Sequence, residues 1–435
     1  MLQTICLVLL AVPLALAIDA PPISSTSPSP EQKSAPAAQL QLDDVIHEVL
    51  AANPALGRAS TLVEAQRAHV RTTGVLPDPS VTVSYMGTPT PFKVMDGDPS
   101  SYRGVSVMQM FPLGGKLGLE REVARKDVAV EEVSRETTVR DLVAQARMAF
   151  YDYAYYCRAL EITERNHQRL KQLAEISESR YRVGKTMQQD VLRAQLEISM
   201  LLQKESALRQ QQHTAAARLN TLMNHAPGAP LPAAVLPKAT ALPTMDALLK
   251  GAESNDPMLA RELRMEDREN ASLALARKDG VPDISAGYMY QQRTDMPDMY
   301  GVQVTMNLPW LHRDRRHQEV TEAELRVRAA KQGQEARRLN LAYELQQSYD
   351  AAKTARQMID YYDQAILPQA EMARDSAQSS YTVGNVDFLT VISSYTAIYS
   401  YELDYYRQSA DYETAMSRME AITGDLDGTA NTEAH

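Results

Sequence analysis

The segment SRYRVGKTMQQDVLRAQ, residues 179–195, and the segment ILPQAEMARDSAQSSYTVG, residues 366–384, share the motif that decides the fold, Tyr-x-Val-Gly. In each segment a long stretch with apolar residues at helical spacing ends at the glycine, and a shorter helical stretch follows. Glycine readily adopts the left-handed backbone that a chain reversal needs. Each motif therefore predicts a turn that joins two long antiparallel helices.

The two motifs belong to a duplicated unit. Residues 53–54 match residues 256–257, and residues 104–107 match residues 301–304. These pairs and the two turns are offset by 197 to 203 residues, so the halves stay in register over most of their length. Self-similarity at so long a period indicates an internal duplication rather than a solenoid.

The duplication predicts a first repeat and a second repeat, each with a helix, a β-hairpin, a very long helix, a turn and a shorter helix. The segments are a signal peptide (1–18), a disordered Pro/Ser-rich segment (19–41), the first repeat (42–225, hairpin at about 80–110), an extended linker (226–243), the second repeat (244–424, hairpin at about 283–308) and a loose tail (425–435). The apolar stretch that opens the chain is too short to span a bilayer, and Ala15-Leu16-Ala17 offers a small-x-small cleavage site. The long helices are predicted at about 117–180 and 319–380, the second carrying Pro368, which should kink it or mark a junction.

The predicted hairpins alternate apolar and polar residues with a period of two, which is the strand signal. In residues 301–308 (GVQVTMNL), valine, methionine and leucine share one face, whereas residues 104–110 alternate less cleanly because Met108 and Met110 fall on the Ser106 side. This pattern fits a strand of a membrane barrel or an edge hairpin on a soluble sheet. Since about eight strands are the minimum for a closed barrel, several copies would have to contribute, two giving eight strands and three giving twelve.

Composition narrows the functional classes. A net charge of −10 argues against a nucleic acid partner, because neutralising phosphates needs a basic face. His312 and His317 lie five residues apart, off a common helical face, so no metal site is assigned. The 20 methionines are assigned to core and seam packing, with binding of soft metals by their thioethers as the alternative. No phosphate loop and no Ser/His/Asp or Cys/His arrangement stands out, so the sequence predicts neither a cofactor nor catalysis.

The sequence resembles the TolC-type outer membrane factor family over about residues 42–424. The resemblance rests on the two Tyr-x-Val-Gly segments and on LPDPSVTVSY (76–85), MFPLGGKL (110–117) and PDISAGY (282–288). It implies a mainly α fold with a small β part, in which a homotrimer forms a twelve-stranded β-barrel in the outer membrane lipid, continued by a long α-helical barrel in the periplasm. It also implies a passive exit duct of a tripartite efflux system that docks onto a periplasmic adaptor and an inner-membrane pump. The FPLGGKL stretch resembles members that serve heavy-metal pumps of the resistance–nodulation–division class.

The resemblance also implies site residues. The turns that look like the periplasmic tip, where the adaptor docks, are Val183, Gly184, Val383 and Gly384. Asp190 matches an acidic position six residues after the first glycine. Many relatives place a ring of aspartates six and nine residues after the second glycine as the closed gate, where this chain has Thr390 and Ser393. Asp387 is the alternative gate residue, or it caps the following helix, since aspartate is common at a helix start.

Two other functions stay open at this point. One is a secreted soluble coiled-coil scaffold or interaction protein, whose hairpins would lie on a soluble domain. The other is the exit duct of a type I secretion system. The scaffold differs from a duct in one observable respect, because it would form no heat-resistant trimer in outer-membrane extracts.

Overall fold

The computed structural model of the protein describes residues 39–89 and 92–424. The predicted signal peptide, residues 19–38 of the Pro/Ser-rich segment and the predicted tail lie outside the described residues. The described chain begins with a contact to the linker, since the Leu40 N–H donates to the carbonyl of Ala233 at 3.0 Å and Leu40 forms a parallel bridge with Ala234. The start of the first repeat and the linker between the repeats are thereby joined.

The first repeat alternates helices and strands in the predicted order. Its helices are α1 (Leu42–Ala52), α2 (Pro54–Thr72), α3 (Lys116–Arg182) and α4 (Gln188–Leu222). Its strands are β1 (Ser80–Met86), β2 (Thr88–Pro89), β3 (Phe92–Lys93) and β4 (Tyr102–Phe111), with β2 and β3 forming a small hairpin inside the loop of the larger one. α3 has 67 residues, and at 1.5 Å per residue it is roughly 100 Å long.

The second repeat follows the same order. Its helices are α5 (Met245–Asn255), α6 (Pro257–Lys278), α7 (Arg313–Tyr361), α8 (Leu367–Thr382) and α9 (Phe388–Thr423), and its strands are β5 (Ile284–Gln292) and β6 (Met299–Met306). A π-helical turn, Tyr362–Ile366, joins α7 to α8 just before Pro368. The expected junction at this proline is confirmed. Proline cannot donate the usual backbone hydrogen bond, and the wider π-helical turn accommodates its ring. None of the helices in the described part of the chain combines the length and the apolar character needed to cross a membrane.

The two repeats have similar asparagine hydrogen bonds at the ends of their helices. The side-chain amide of Asn53, between α1 and α2, donates to the carbonyl of Leu222 at the end of α4, at 2.8 Å. The side-chain amide of Asn255, at the end of α5, donates to the carbonyl of Thr423 at the end of α9, at 2.9 Å. Both bonds satisfy a carbonyl that a helix C-terminus leaves without an intrahelical partner.

The helices pack along seams lined by small and branched apolar side chains. In the first repeat, α1 buries Val45 and Val49 against α3 and α4. In the second repeat, α5 buries Leu248 and Ala252 against α7 and α9. Near the two turns, residues of α3, α4, α8 and α9 share a third cluster. Burying a large aliphatic side chain contributes about 1.5–3 kcal/mol, so these seams fix how the long helices lie against one another.

The hairpins of both repeats form one antiparallel sheet with the strand order β1-β4-β5-β6. The central pairing, β4 with β5, joins the two repeats and sets their register. One row across the sheet runs through Val81, Val107, Tyr288 and Val302. Within the described residues β1 and β6 are each paired on one side only, so the sheet has two free edges.

Candidate functional site

The turn after α3 is a Schellman motif. The Gly184 N–H donates to the carbonyl of Tyr181, and the Lys185 N–H donates to the carbonyl of Arg180, both at 2.9 Å. These two bonds satisfy carbonyls at the helix end when the residue after the cap is left-handed. Gly184 supplies that conformation with a φ of +71°. The sequence prediction of a glycine turn at this point is confirmed.

The turn after α8 repeats the motif. The Gly384 N–H donates to the carbonyl of Tyr381 at 3.0 Å, and the Asn385 N–H donates to the carbonyl of Ser380 at 2.9 Å. Gly384 has a φ of +84°. Val383, like Val183 in the first turn, is exposed to solvent. Each turn therefore presents an exposed valine beside a hydrogen-bonded backbone.

One arginine links the two turns. The Arg180 guanidinium donates to the carbonyl of Tyr381 at 2.5 Å and lies over its ring. Tyr381 is only 4% exposed and packs against the ring of Phe388, with centroids 5.5 Å apart, whereas its counterpart Tyr181 is 42% exposed. The repeats are thus equivalent in backbone but not in side-chain environment. The sequence did not predict this link, although Arg180 lies in the segment 179–195, because no local pattern relates it to a residue 201 positions away.

The gate candidates of the second repeat lie together at the start of α9. Asp387 is the N-cap: its carboxylate accepts from the Thr390 N–H at 3.0 Å and also from the Thr390 hydroxyl. The Ser393 hydroxyl donates back to the carbonyl of Thr390 at 2.9 Å. The hydrogen bonds from the Thr390 hydroxyl and N–H hold the pKa of the Asp387 carboxyl below its ordinary value. The capping interpretation of Asp387 is confirmed, and the carboxylate is exposed and charged.

The gate candidate of the first repeat, Asp190, lies in the first turn of α4 and accepts a hydrogen bond from the Thr186 hydroxyl. Arg193 forms an ion pair with Glu197 at 3.2 Å rather than with Asp190. Among the described residues Arg193 therefore does not neutralise Asp190. Within the described residues no hydrogen bond or ion pair joins Asp190 to Asp387, so the two acidic candidates sit at separate helix starts.

The sheet carries the second unusual surface. One face is apolar and open, with Val83 78% exposed and Val302 80% exposed. Its apolar side chains include Val81, Val83, Val105, Val107, Tyr288, Val302 and Val304, and the polar residues Arg103, Gln109 and Gln292 lie on the same face. The register aligns them across all four strands, so the predicted alternation is confirmed. An apolar patch of this kind marks a surface that contacts lipid or another protein.

The opposite face of the sheet is polar with interspersed thioethers. Its polar residues include Thr82, Ser84, Ser106, Ser285, Gln303 and Thr305. Met108, Met110 and Met289 lie among them, as the break in alternation of β4 predicts. The Met289 sulfur lies over Gly301 of the next strand, where an added Cβ would come within 3.1 Å of it. A sheet with one apolar and one polar face can separate lipid from water.

Comparisons with known proteins agree with this geometry. A family model described as outer membrane efflux protein matches residues 45–225 and 248–425. The outer-membrane channel OprN is similar with a TM-score of 0.75 and 16% identity, over 88% of this chain and 89% of that chain. CusC, described for its folding and transmembrane channel formation, is similar with a TM-score of 0.75 and 16% identity, over 88% of this chain and 92% of that chain. The outer membrane protein VceC from Vibrio cholerae gives a TM-score of 0.72 and 16% identity, over 88% and 96%. A comparison with curated protein sequences finds no match.

Proposed function

Because the chain belongs to the outer membrane efflux protein family, we propose that it is the passive exit duct of a tripartite efflux system, anchored in the outer membrane. The observation that carries the proposal is the open apolar face of the four-stranded sheet, on which Val83 and Val302 are almost uncovered. A water-facing surface of that composition is unfavourable, whereas a bilayer buries it. The long helices then continue from the sheet into the periplasm.

The free edges of β1 and β6 support a homotrimer. All three pairings in the order β1-β4-β5-β6 are antiparallel, so β6 of one copy can pair antiparallel with β1 of the next. Two copies would close a barrel of eight strands, whose interior is just wide enough for its own side chains. Three copies give twelve strands and leave space inside. A conduit therefore favours three.

The proposed partners are a periplasmic adaptor and an inner-membrane pump of the resistance–nodulation–division class. The adaptor would dock on the two turns, Val183-Gly184 and Val383-Gly384. Support comes from the exposed valines held on fixed Schellman turns, since a pre-organised apolar tip loses little entropy on binding. In the same proposal Asp190, Asp387, Thr390 and Ser393 line the periplasmic gate, with Asp190 and Asp387 as its acidic residues.

The proposed cargo is heavy-metal cations, delivered by the pump. The polar face of the sheet would line the channel, and it presents the thioethers of Met108, Met110 and Met289. Thioethers bind soft ions such as Cu(I), and reversible binding lets these ions move on through the channel. A strain without the gene should become sensitive to silver and copper salts. Unchanged metal sensitivity together with a defect in protein export would favour a type I secretion duct instead.

Placing a charge on either face of β6 tests the membrane assignment. Val302→Arg would put a cation on the apolar face and should cost about 2–4 kcal/mol if that face meets the bilayer core. Gln303→Arg, one residue along on the polar face, is the matched control and should be tolerated. The readout is the amount of heat-resistant trimer in outer-membrane fractions on semi-native gels. A soluble periplasmic monomer, or equal trimer yields for both variants, would favour the coiled-coil scaffold.

A further inference from the structure

Three side chains with metal-binding groups meet on the seam between α3 and α4. Glu164 and His167 lie on α3, and Glu205 lies on α4. One ligand atom from each lies within 4.8 Å of the other two. Residues three apart share a helix face, and the reversal at the first turn brings α4 alongside that face. From the residue spacing, the cluster sits on the order of 25–30 Å from the turn.

The separations suit a bridging ion better than a hydrogen bond. His167 Nδ1 lies 3.9 Å from Glu164 Oε2, beyond hydrogen-bonding reach. In a tetrahedral site with metal–nitrogen and metal–oxygen distances of about 2.0–2.2 Å, neighbouring ligand atoms lie about 3.4 Å apart. Small rotations of these side chains close the difference. The Glu205 side chain is 12% exposed, His167 22% and Glu164 55%, so the cluster is half enclosed and open on one side.

Each carboxylate already has an outer partner that orients it. Gln168 Nε2 donates to Glu164 Oε1 at 2.7 Å, and Arg209 Nη2 donates to Glu205 Oε1 at 2.5 Å. Both contacts occupy one oxygen and leave the second for another ligand. Outer partners of this kind fix the direction of metal ligands in known sites. Within the described part of the chain the His167 ring makes no hydrogen bond, so its ring nitrogens are available.

We propose that Glu164, His167 and Glu205 form a binding site for a divalent transition metal of the zinc class, with water completing the coordination. One imidazole and two carboxylates suit Zn²⁺, Co²⁺ or Ni²⁺. Magnesium prefers oxygen ligands only, and soft monovalent ions prefer sulfur. The site belongs to the helical hairpin, and it is independent of the cargo assigned to the channel.

Occupancy of this site would tie α3 to α4. An ion that binds the folded chain raises its stability by RT ln(1 + [L]/Kd). The hairpin carries the first of the two turns proposed to meet the adaptor. Bound metal therefore stiffens the support of that turn.

The proposal can be tested by calorimetric titration with ZnCl2. The full chain is purified in detergent through an affinity tag that contains no histidines. The wild type should bind one Zn²⁺ per chain, and His167→Ala or Glu205→Gln should weaken that binding at least tenfold. Glu164→Gln changes a half-exposed side chain and serves as the variant least able to disturb folding. His213→Ala, at an exposed position elsewhere on α4, is the matched control and should bind like the wild type.

A thermal melt with and without Zn²⁺ gives the second measurement. The wild type and His213→Ala should melt at higher temperature with the ion, and the three site variants should not. Circular dichroism establishes that every variant is folded before titration. Equal affinity and stoichiometry in the wild type and in folded His167→Ala and Glu164→Gln would overturn the site, as would a wild type that binds no Zn²⁺.

Discussion

The guanidinium carbon of Arg180, in the last turn of α3, lies 4.5 Å from the ring centroid of Tyr381, in the last turn of α8. The same arginine donates a hydrogen bond to the Tyr381 carbonyl, so one side chain holds both turns. The ring beneath it is buried, and within the described residues its hydroxyl has no hydrogen-bond partner. The two tips that we propose to meet the adaptor are therefore mechanically coupled in one chain.

Arg180→Ala should loosen both turns together. Loss of the cation–π contact and of a charged hydrogen bond is worth about 2 kcal/mol. Amide hydrogen exchange should accelerate at residues 181–187 and at residues 381–387. Arg182→Ala removes an exposed arginine whose partner is Glu178, and it should leave exchange in the second turn unchanged. Acceleration confined to the first turn would contradict the coupling.

Substitution of the turn glycines should impair transport through backbone strain. A Cβ on Gly184 or Gly384 meets no atom within 4 Å, so alanine is disfavoured only by the positive φ, at a cost of about 1–2 kcal/mol. Gly184→Pro and Gly384→Pro should be worse, because proline cannot adopt this φ and removes the N–H of the turn. Gly57→Ala, inside α2 with open space around it, is the control and should be neutral or stabilising. Normal assembly with normal efflux in the proline variants would show that the turns do not contact the adaptor.

Asparagine and alanine at position 387 separate the cap from the charge. Asp387→Asn keeps an oxygen that accepts from the Thr390 N–H, whereas Asp387→Ala removes it. Both lose the negative charge. Conductance in planar bilayers should rise, and block by divalent cations should weaken, in both variants if Asp387 lines the gate. Only the alanine variant should also melt at lower temperature. Wild-type conductance in the asparagine variant would leave Asp387 as a cap alone.

The buried carboxyl of Glu413, on α9, should make stability depend on pH. Burial raises its pKa to about 7, although Arg147 acts in the opposite direction, and Tyr151 and Tyr412 are titratable groups near it. The folded chain thus keeps a proton that the unfolded chain releases between about pH 4.5 and 7, so the free energy of unfolding falls as pH rises through that window. The change is on the order of 3 kcal/mol per chain.

Thermal melts of the wild type and of Glu413→Gln at pH 5.0 and pH 7.5 measure this dependence. The wild type should melt at a lower temperature at pH 7.5. The glutamine variant, which stays neutral, should lose most of the difference between the two pH values. Equal pH dependence in both proteins would show that Glu413 is not the group responsible.

Much of the architecture could be predicted because its signals are local. The long helix expected at about 117–180 is observed as Lys116–Arg182, since its apolar spacing persists until a glycine ends it. The period of two in β5 and β6 identified the two sheet faces before any pairing was known. What the pattern could not give is the pairing of β4 with β5, because alternation states which face a residue occupies and not which strand lies beside it.

The site was predicted less completely. The glycine turns and the Asp387 cap follow from rules that act within four residues. The Arg180–Tyr381 contact depends on the axial position of α3 relative to α8, which is set by the cluster that α3, α4, α8 and α9 share near the two turns. The same reason hid the cluster of Glu164, His167 and Glu205, since the two helices that supply it meet only after the chain has reversed.

The one-sided pairing of β1 and β6 has a consequence for biogenesis. Before it assembles, a chain exposes the unpaired backbone groups of these two edge strands next to the apolar face of the sheet. Such exposed edges favour aggregation through intermolecular β-sheets. An edge strand that can pair with the next subunit can also pair with other exposed strands. Aggregation therefore competes with assembly, and its rate rises steeply with subunit concentration. Chaperones and slow expression should therefore improve the yield of native protein. Strong overexpression should instead give insoluble aggregates.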